Sequence, residues 1–167
     1  MIEMTIQLNK NTRRPIALLD WFRGCRALID TGALIPIWTA KDTDLIELGA
    51  TLERENISFG GFGGEAAGNQ YRINFKLGSI IYADMPIIAK EMSGLSCHMI
   101  LPATMFTGMV YTINDKEKTF GIRILDNQPV RNLRLSTDAG DLSVYLAGAY
   151  ESIEEYNIHK LQTQQEH

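Results

Sequence analysis

The sequence predicts an all-β fold, mostly antiparallel, with a closed-barrel-like core and one or two short helices. Three observations predict it. Apolar and polar residues alternate over Glu53 to Phe59 and again over Gln70 to Leu77, as two antiparallel strands with one wet face would require. Met109 to Ile113 and Thr119 to Ile124 flank the turn-forming run Asn114-Asp115-Lys116-Glu117-Lys118, which reads as a hairpin. Strand-like runs also recur at short spacing with turn residues between them, a pattern that favours all-β over α/β.

The elements follow in order. Met1 to Leu8 alternates apolar and polar residues like a strand. Arg14 to Asp20 runs into a turn, and Cys25 to Ile29 returns. Asp44-Leu45-Ile46-Glu47 has the spacing of a capping box, and Gly49 stands where a helix of a turn or two would stop. Ile80 to Ala89 is apolar, with Pro86 favouring an edge or a bulge. Met99-Ile100-Leu101-Pro102 is a further apolar strand, followed by a second helical turn. Leu133 to Leu135 and Leu142 to Leu146 suggest two more strands around Thr137 to Asp141, and from Glu151 the chain is polar, a loose helix or frayed end.

The chemistry concentrates at one loop. Ala27-Leu28-Ile29 leads into Asp30-Thr31-Gly32-Ala33, and Leu34-Ile35-Pro36-Ile37-Trp38 follows. An apolar strand has no cheap place for a carboxylate, so Asp30 is either a turn residue or a functional group. As a plain turn, Asp30 would bond its own backbone, with Gly32 at positive φ. As a functional loop, Gly32 would turn the chain back and present its N–H to the carboxylate, while Thr31 offers a hydroxyl able to tie two such loops together.

Asp-Thr-Gly-Ala after an apolar strand resembles the catalytic loop of aspartic peptidases, of the single-domain retropepsin-like kind. The order of features downstream is similar too: a short helix, a Gly-rich hairpin, a second apolar strand, a helical turn and a hairpin. The resemblance spans about Ile16 to Ile124. It implies the retropepsin-like acid protease fold over residues 1–125, with 126–167 as an extension packing on that domain or on a dimer interface and ending in a polar tail. It implies Asp30 as the catalytic carboxylate, Thr31 and Gly32 as supports of its loop, and Ala33, Gly60, Gly61, Phe62 and Gly63 as substrate-binding residues of the loop and flap. The reaction would be hydrolysis of peptide bonds in a peptide or protein substrate, without metal or other cofactor. Two facing carboxylates are needed and one such loop is present, so the implied active species is a homodimer. The alternative is a retropepsin-like module that holds a peptide without cutting it; a purely structural β domain is a third option.

Two residues depart from the family pattern. Pro102 stands where glycine usually ends the second apolar strand, and Leu34 where a polar residue is more common. In the implied arrangement the strands carrying Cys25 and Cys97 are neighbours, which would bring the two sulfurs close.

Other readings are weaker. Gly61-Phe62-Gly63-Gly64-Glu65-Ala66 fits a loose dinucleotide-loop pattern, but that pattern needs a helix at its end and strand-like sequence resumes at Gln70. The run also reads as a long, flexible hairpin tip. His98 beside Cys97 has no further ligands at metal-site spacing, Trp21 and Trp38 read as packing residues, and no Gly-x-Ser-x-Gly elbow is present. Charged residues make up 22% of the 167, hydrophobic ones 45%, and the net charge is -4. That is ordinary globular composition without the basic footprint of a nucleic-acid binder. The N-terminus lacks a signal-peptide pattern, and no apolar run approaches the ~18 residues that span a bilayer. The expected location is therefore the cytoplasm, with both cysteines reduced and no membrane partner.

Overall fold

The computed structural model describes residues 2–22, 24–33, 35–59, 66–125, 131–137, 140–149 and 158. In chain order the strands are β1 (Ile2–Gln7), β2 (Ile16–Leu18), β3 (Arg26–Asp30), β4 (Ile37–Trp38), β5 (Thr51–Phe59), β6 (Ala66–Leu77), β7 (Ile80–Ala89), β8 (Met99–Pro102), β9 (Val110–Asn114), β10 (Thr119–Ile124), β11 (Arg131–Thr137) and β12 (Gly140–Ala149). One short helix, α1 (Asp42–Glu47), precedes β5, and a 3-10 turn at Ala103–Phe106 follows β8. The all-β expectation holds.

The strands form two sheets. The smaller is antiparallel, in the order β1-β10-β9, with Phe120 and Ile122 of β10 facing Ile113 and Tyr111 of β9. Alternation along β10 sends Phe120, Ile122 and Ile124 into the core and leaves Arg123 in solvent. The larger runs β11-β12-β7-β4-β8-β3-β2, with β5 and β6 attached through β7. This path does not return on itself, so the sheets are not closed into the expected barrel. The reason lies at β7, where Ile80 to Ala83 pair with β12 and so carry the sheet outward to β11.

Two apolar clusters divide the interior. The larger holds Trp38, Phe75, Tyr82, Phe106 and Phe120, with Trp21 edge-on to Phe75 at 5.0 Å and to Trp38 at 6.4 Å. Both tryptophans are therefore packing residues, as read from the sequence. The second cluster gathers Ile16, Leu28, Ala33, Ile35, Ile37, Ile88 and Ile100. Along β3 and β8 successive residues alternate between the clusters: Ala27, Ile29, Met99 and Leu101 join the first, Leu28 and Ile100 the second. These strands are buried on both faces, which explains why they read as continuous apolar runs.

Two local expectations are corrected. Helix α1 begins at Asp42 with Lys41 as its N-cap and no side-chain cap bond, so Asp44 is not the cap. Asp42 and Asp44 instead lie in the first turn, where the helix dipole favours carboxylates. The stop at Gly49 is as read: its φ is +93°, its N–H reaches the Ile46 carbonyl at 3.0 Å, and Ala50 N–H reaches that of Leu45 at 3.0 Å. That pair of bonds satisfies two orphan carbonyls of the last turn. Pro86 lies on a central strand, not an edge, between the stretch of β7 that pairs with β12 and the stretch that pairs with β4. Nor is Pro86 itself in a bulge: it pairs with Arg72 in regular register, and the β6–β7 register breaks just before it, between Ile73 and Phe75, where Asp84 takes a φ of +53°.

Candidate functional site

Asp30 ends β3 at the point where the buried strand reaches the surface, and its side chain is half-buried. The strand is held on both sides. On one, Ile29 N–H donates to the Pro15 carbonyl at 3.0 Å, continuing the antiparallel pairing of β2 and β3. On the other, β3 runs parallel to β8 and sets Asp30 opposite Pro102.

The loop after Asp30 turns on its own carboxylate. Gly32 N–H donates to Asp30 Oδ1 at 2.9 Å, and Ala33 N–H reaches the Asp30 carbonyl at 3.3 Å. This bond is required alike by both readings of the loop, the plain turn and the functional one. Gly32 does not take a positive φ, and a Cβ built on it would stand 3.4 Å from Asp30 Oδ1. Thr31 and Gly32 are exposed, whereas Ala33 is buried in the second cluster. One Asp30 oxygen is thus held by a backbone N–H, and the neighbouring Thr31 is exposed.

Strands β5 and β6 pair antiparallel from Thr51↔Arg72 to Phe59↔Ala66 and form the arms of a long hairpin. Its connecting residues, including Gly60, Gly61, Phe62, Gly63 and Gly64, lie outside the described residues, as does Leu34. Ala66 belongs to a strand, so the helix required by a dinucleotide loop is not formed there. Ile57 on the first arm packs against the second cluster, which also contains Ala33. That contact brings the hairpin and the Asp30 loop to one apolar floor.

The arms are tied together by charge. Arg72 and Gln70 of β6 both donate to the Glu53 carboxylate on β5, Gln70 Nε2 at 2.8 Å. The hydrogen bond from Arg72 is the main reason the Glu53 carboxyl is held below its usual range. Gln70 is fully buried, and its Oε1 has no partner among the described residues. Gly68 is a residue that the sequence alone does not single out. A Cβ there would stand 2.4 Å from the Ala89 carbonyl oxygen and 2.9 Å from Ile88 Cγ2. Glycine lets the second arm lie close against β7.

Cys25 and Cys97 are both free thiols. Cys25 immediately precedes β3 and Cys97 lies two residues before β8, the two neighbouring strands; Cys25 belongs to the larger cluster and Cys97 packs against the other. Burial pushes the Cys25 thiol up to about 12. Burial also raises Cys97, against opposing effects from Thr39, Leu28, Arg14 and Arg26. His98 is half-buried and stacks on Trp38 at 6.3 Å. Its Nδ1 accepts the Arg26 N–H at 3.0 Å, so the neutral ring carries its proton on Nε2. Burial, then Arg26, lowers its pKa below the ordinary histidine value.

Among the described residues no group of three or more His, Cys, Asp or Glu side chains is placed to hold a metal ion, and no helix is long and apolar enough to cross a membrane. No protein-family model matches the chain, and no curated protein matches it. Among solved structures, the chain is similar to a retropepsin-like aspartic protease from Rickettsia conorii, at 14% identity and a TM-score of 0.44, over 72% of this chain and 89% of that one.

Proposed function

We propose that this protein is an aspartic-type endopeptidase that works as a homodimer, with Asp30 as its catalytic carboxylate. The observation that carries the reading is the setting of Asp30. It ends a strand buried on both faces, is fixed by the Gly32 N–H at 2.9 Å, and lies beside an apolar floor shared with the β5–β6 hairpin. A carboxylate placed in this way, on rigid strands and half open to solvent, suits chemistry on a bound chain better than it suits a stable core.

The chemistry follows from pairing two copies. A two-fold axis between two Asp30 loops would face the carboxylates, and like charges at that range share one proton. The ionised member takes a proton from a water molecule, which attacks the peptide carbonyl. The protonated member donates to the carbonyl oxygen. The carboxyl that took the water's proton then passes it to the leaving nitrogen, while its partner takes a hydroxyl proton back from the tetrahedral adduct. The C–N bond breaks to give the amine and a carboxylic acid, and the pair again shares one proton. The exposed Thr31 hydroxyl would bond across the axis. Ala33, its side chain buried in the second cluster, would contact the substrate through its backbone, and the hairpin tip with Gly60, Gly61, Phe62 and Gly63 would close over it. Glycines there leave room for backbone hydrogen bonds to a peptide, at an ordering cost that the bound chain offsets.

Mixing wild type with Asp30→Asn after subunit exchange tests the shared site. If both carboxylates are required, an equal mixture retains about a quarter of the wild-type activity, because only wild-type pairs turn over. Activity proportional to wild-type content, about half, would mean that each chain acts alone. A module that binds peptides without cutting them would show no activity at any ratio.

A further inference from the structure

A concavity of about 360 Å³ lies between the segment leading into β2 and the loop before β8. Arg13 and Arg14 line one wall, Leu95 and Ser96 the other, and Ile16 lies at its base. No aspartate or glutamate lines it, although the chain as a whole carries a net charge of -4. Both arginines are exposed at their side chains, and Arg13 forms no ion pair among the described residues.

The pocket is joined to the Asp30 site in two ways. The Ile29 N–H to Pro15 carbonyl bond, with Ile16 paired to Leu28, carries Arg14 alongside Asp30 in the antiparallel pairing. Ile16 and Leu95 also belong with Ala33 to one apolar cluster, so the base of the pocket and the floor beside Asp30 are continuous.

We propose that this pocket is a specificity site for an acidic side chain, aspartate or glutamate, of the peptide bound at Asp30. The stem of such a side chain lies on Ile16 and Leu95, and its carboxylate meets the two guanidinium groups. A planar, delocalised cation suits a carboxylate by geometry as well as by charge. The inference rests on the reading of the Asp30 cleft as a peptide site.

The test reads binding without turnover. Full-length Asp30→Asn is titrated with fluorescein-labelled, C-terminally amidated octapeptide pools that differ only in Glu or Gln at one fixed position, moved along the peptide. At one position the Glu pool is expected to bind about fivefold more tightly, with the preference shrinking as salt screens it. Arg13→Gln with Arg14→Gln should abolish the preference, and Arg13→Glu with Arg14→Glu should transfer it to a Lys pool; circular dichroism confirms that each variant is folded. Equal binding of Glu and Gln pools at every position, no measurable binding of any pool, or a preference that survives the double substitution would overturn the proposal. A Glu preference in binding, with a wild type that cleaves nothing, would sink the peptidase reading and leave this site standing. Cleavage without any acidic preference would do the reverse.

Discussion

Asp30 stands directly opposite Pro102 in the parallel pairing of β3 and β8. The carboxylate and the proline each end their strand, and both strands are buried on both faces up to that point. Proline has no N–H to give and holds φ near its observed -81°. It therefore stops the ladder where Asp30 must leave it. Pro102→Ala keeps a compatible backbone and is expected to lower stability by about 0.4–1 kcal/mol through the freer unfolded chain, leaving turnover nearly intact. Urea denaturation and a peptide-cleavage assay on the variant check both halves.

Gly68→Ala is expected to do more harm. Its Cβ would meet the Ala89 carbonyl oxygen at 2.4 Å, and a backbone oxygen cannot swing aside as a side chain would. Moving the β6 arm off β7 should cost about 1–3 kcal/mol and lower the thermal midpoint. A melting curve that matches the wild type would show that the arms have room to spare.

Acid should loosen the scaffold through His98. Its folded pKa is lowered, chiefly by burial and next by Arg26, with Asp44 opposing. The unfolded chain then binds the proton more readily, so the neutral ring's contribution is complete above the unfolded value of about 6.5. It is lost as pH falls from there through the lower folded value. Protonation also removes the acceptor that Nδ1 offers to the Arg26 N–H at 3.0 Å. His98→Asn offers an amide oxygen to the same N–H and does not titrate. Its stability should fall less than that of the wild type between pH 7 and pH 5.5, as chemical denaturation at the two pH values would show. Parallel losses in both proteins would place the acid sensitivity elsewhere.

The thiols should differ in reactivity. Cys25 is fully buried, with its thiol pushed up to about 12, and almost none is thiolate at neutral pH. Iodoacetamide should therefore modify Cys97, slowly, and leave Cys25 untouched until the protein unfolds. Peptide mapping after timed labelling reads this directly. Equal modification of both in the folded protein would contradict the burial of Cys25.

The legible parts of this fold are those set by local pattern. The alternation along β10, the hairpin turn at Asn114 to Lys118 and the Gly49 helix stop each follow from a few neighbouring residues, and the structure realises them. What stayed hidden depends on distant partners. Pro86 reads as an edge residue until β12 and β4 are seen to divide β7 between them. The Asp44 spacing suggests a cap, but the helix starts at Asp42 because Lys41 already takes the extended conformation, with a ψ of 140°. Gly68 matters only through its distance to Ala89, and the openness of the larger sheet only through the pairing of β12 with β7. At the candidate site, the bond from the Gly32 N–H to Asp30 was legible in the sequence, because it lies within three consecutive residues. The arginine pocket stayed unseen because Arg13-Arg14 and Leu95-Ser96 are about 80 residues apart along the chain.

The central claim is that Asp30 performs peptide hydrolysis, and a cleavage screen tests it most directly. Wild type and Asp30→Asn are incubated with a diverse peptide library from mildly acid to neutral pH, and products are read by mass spectrometry. The account predicts defined cleavage sites for the wild type and a loss of about 10⁴-fold or more in rate for Asp30→Asn, with circular dichroism and peptide binding retained. A wild type that cleaves nothing at any pH, or an Asp30→Asn that cleaves as well as the wild type, would contradict it.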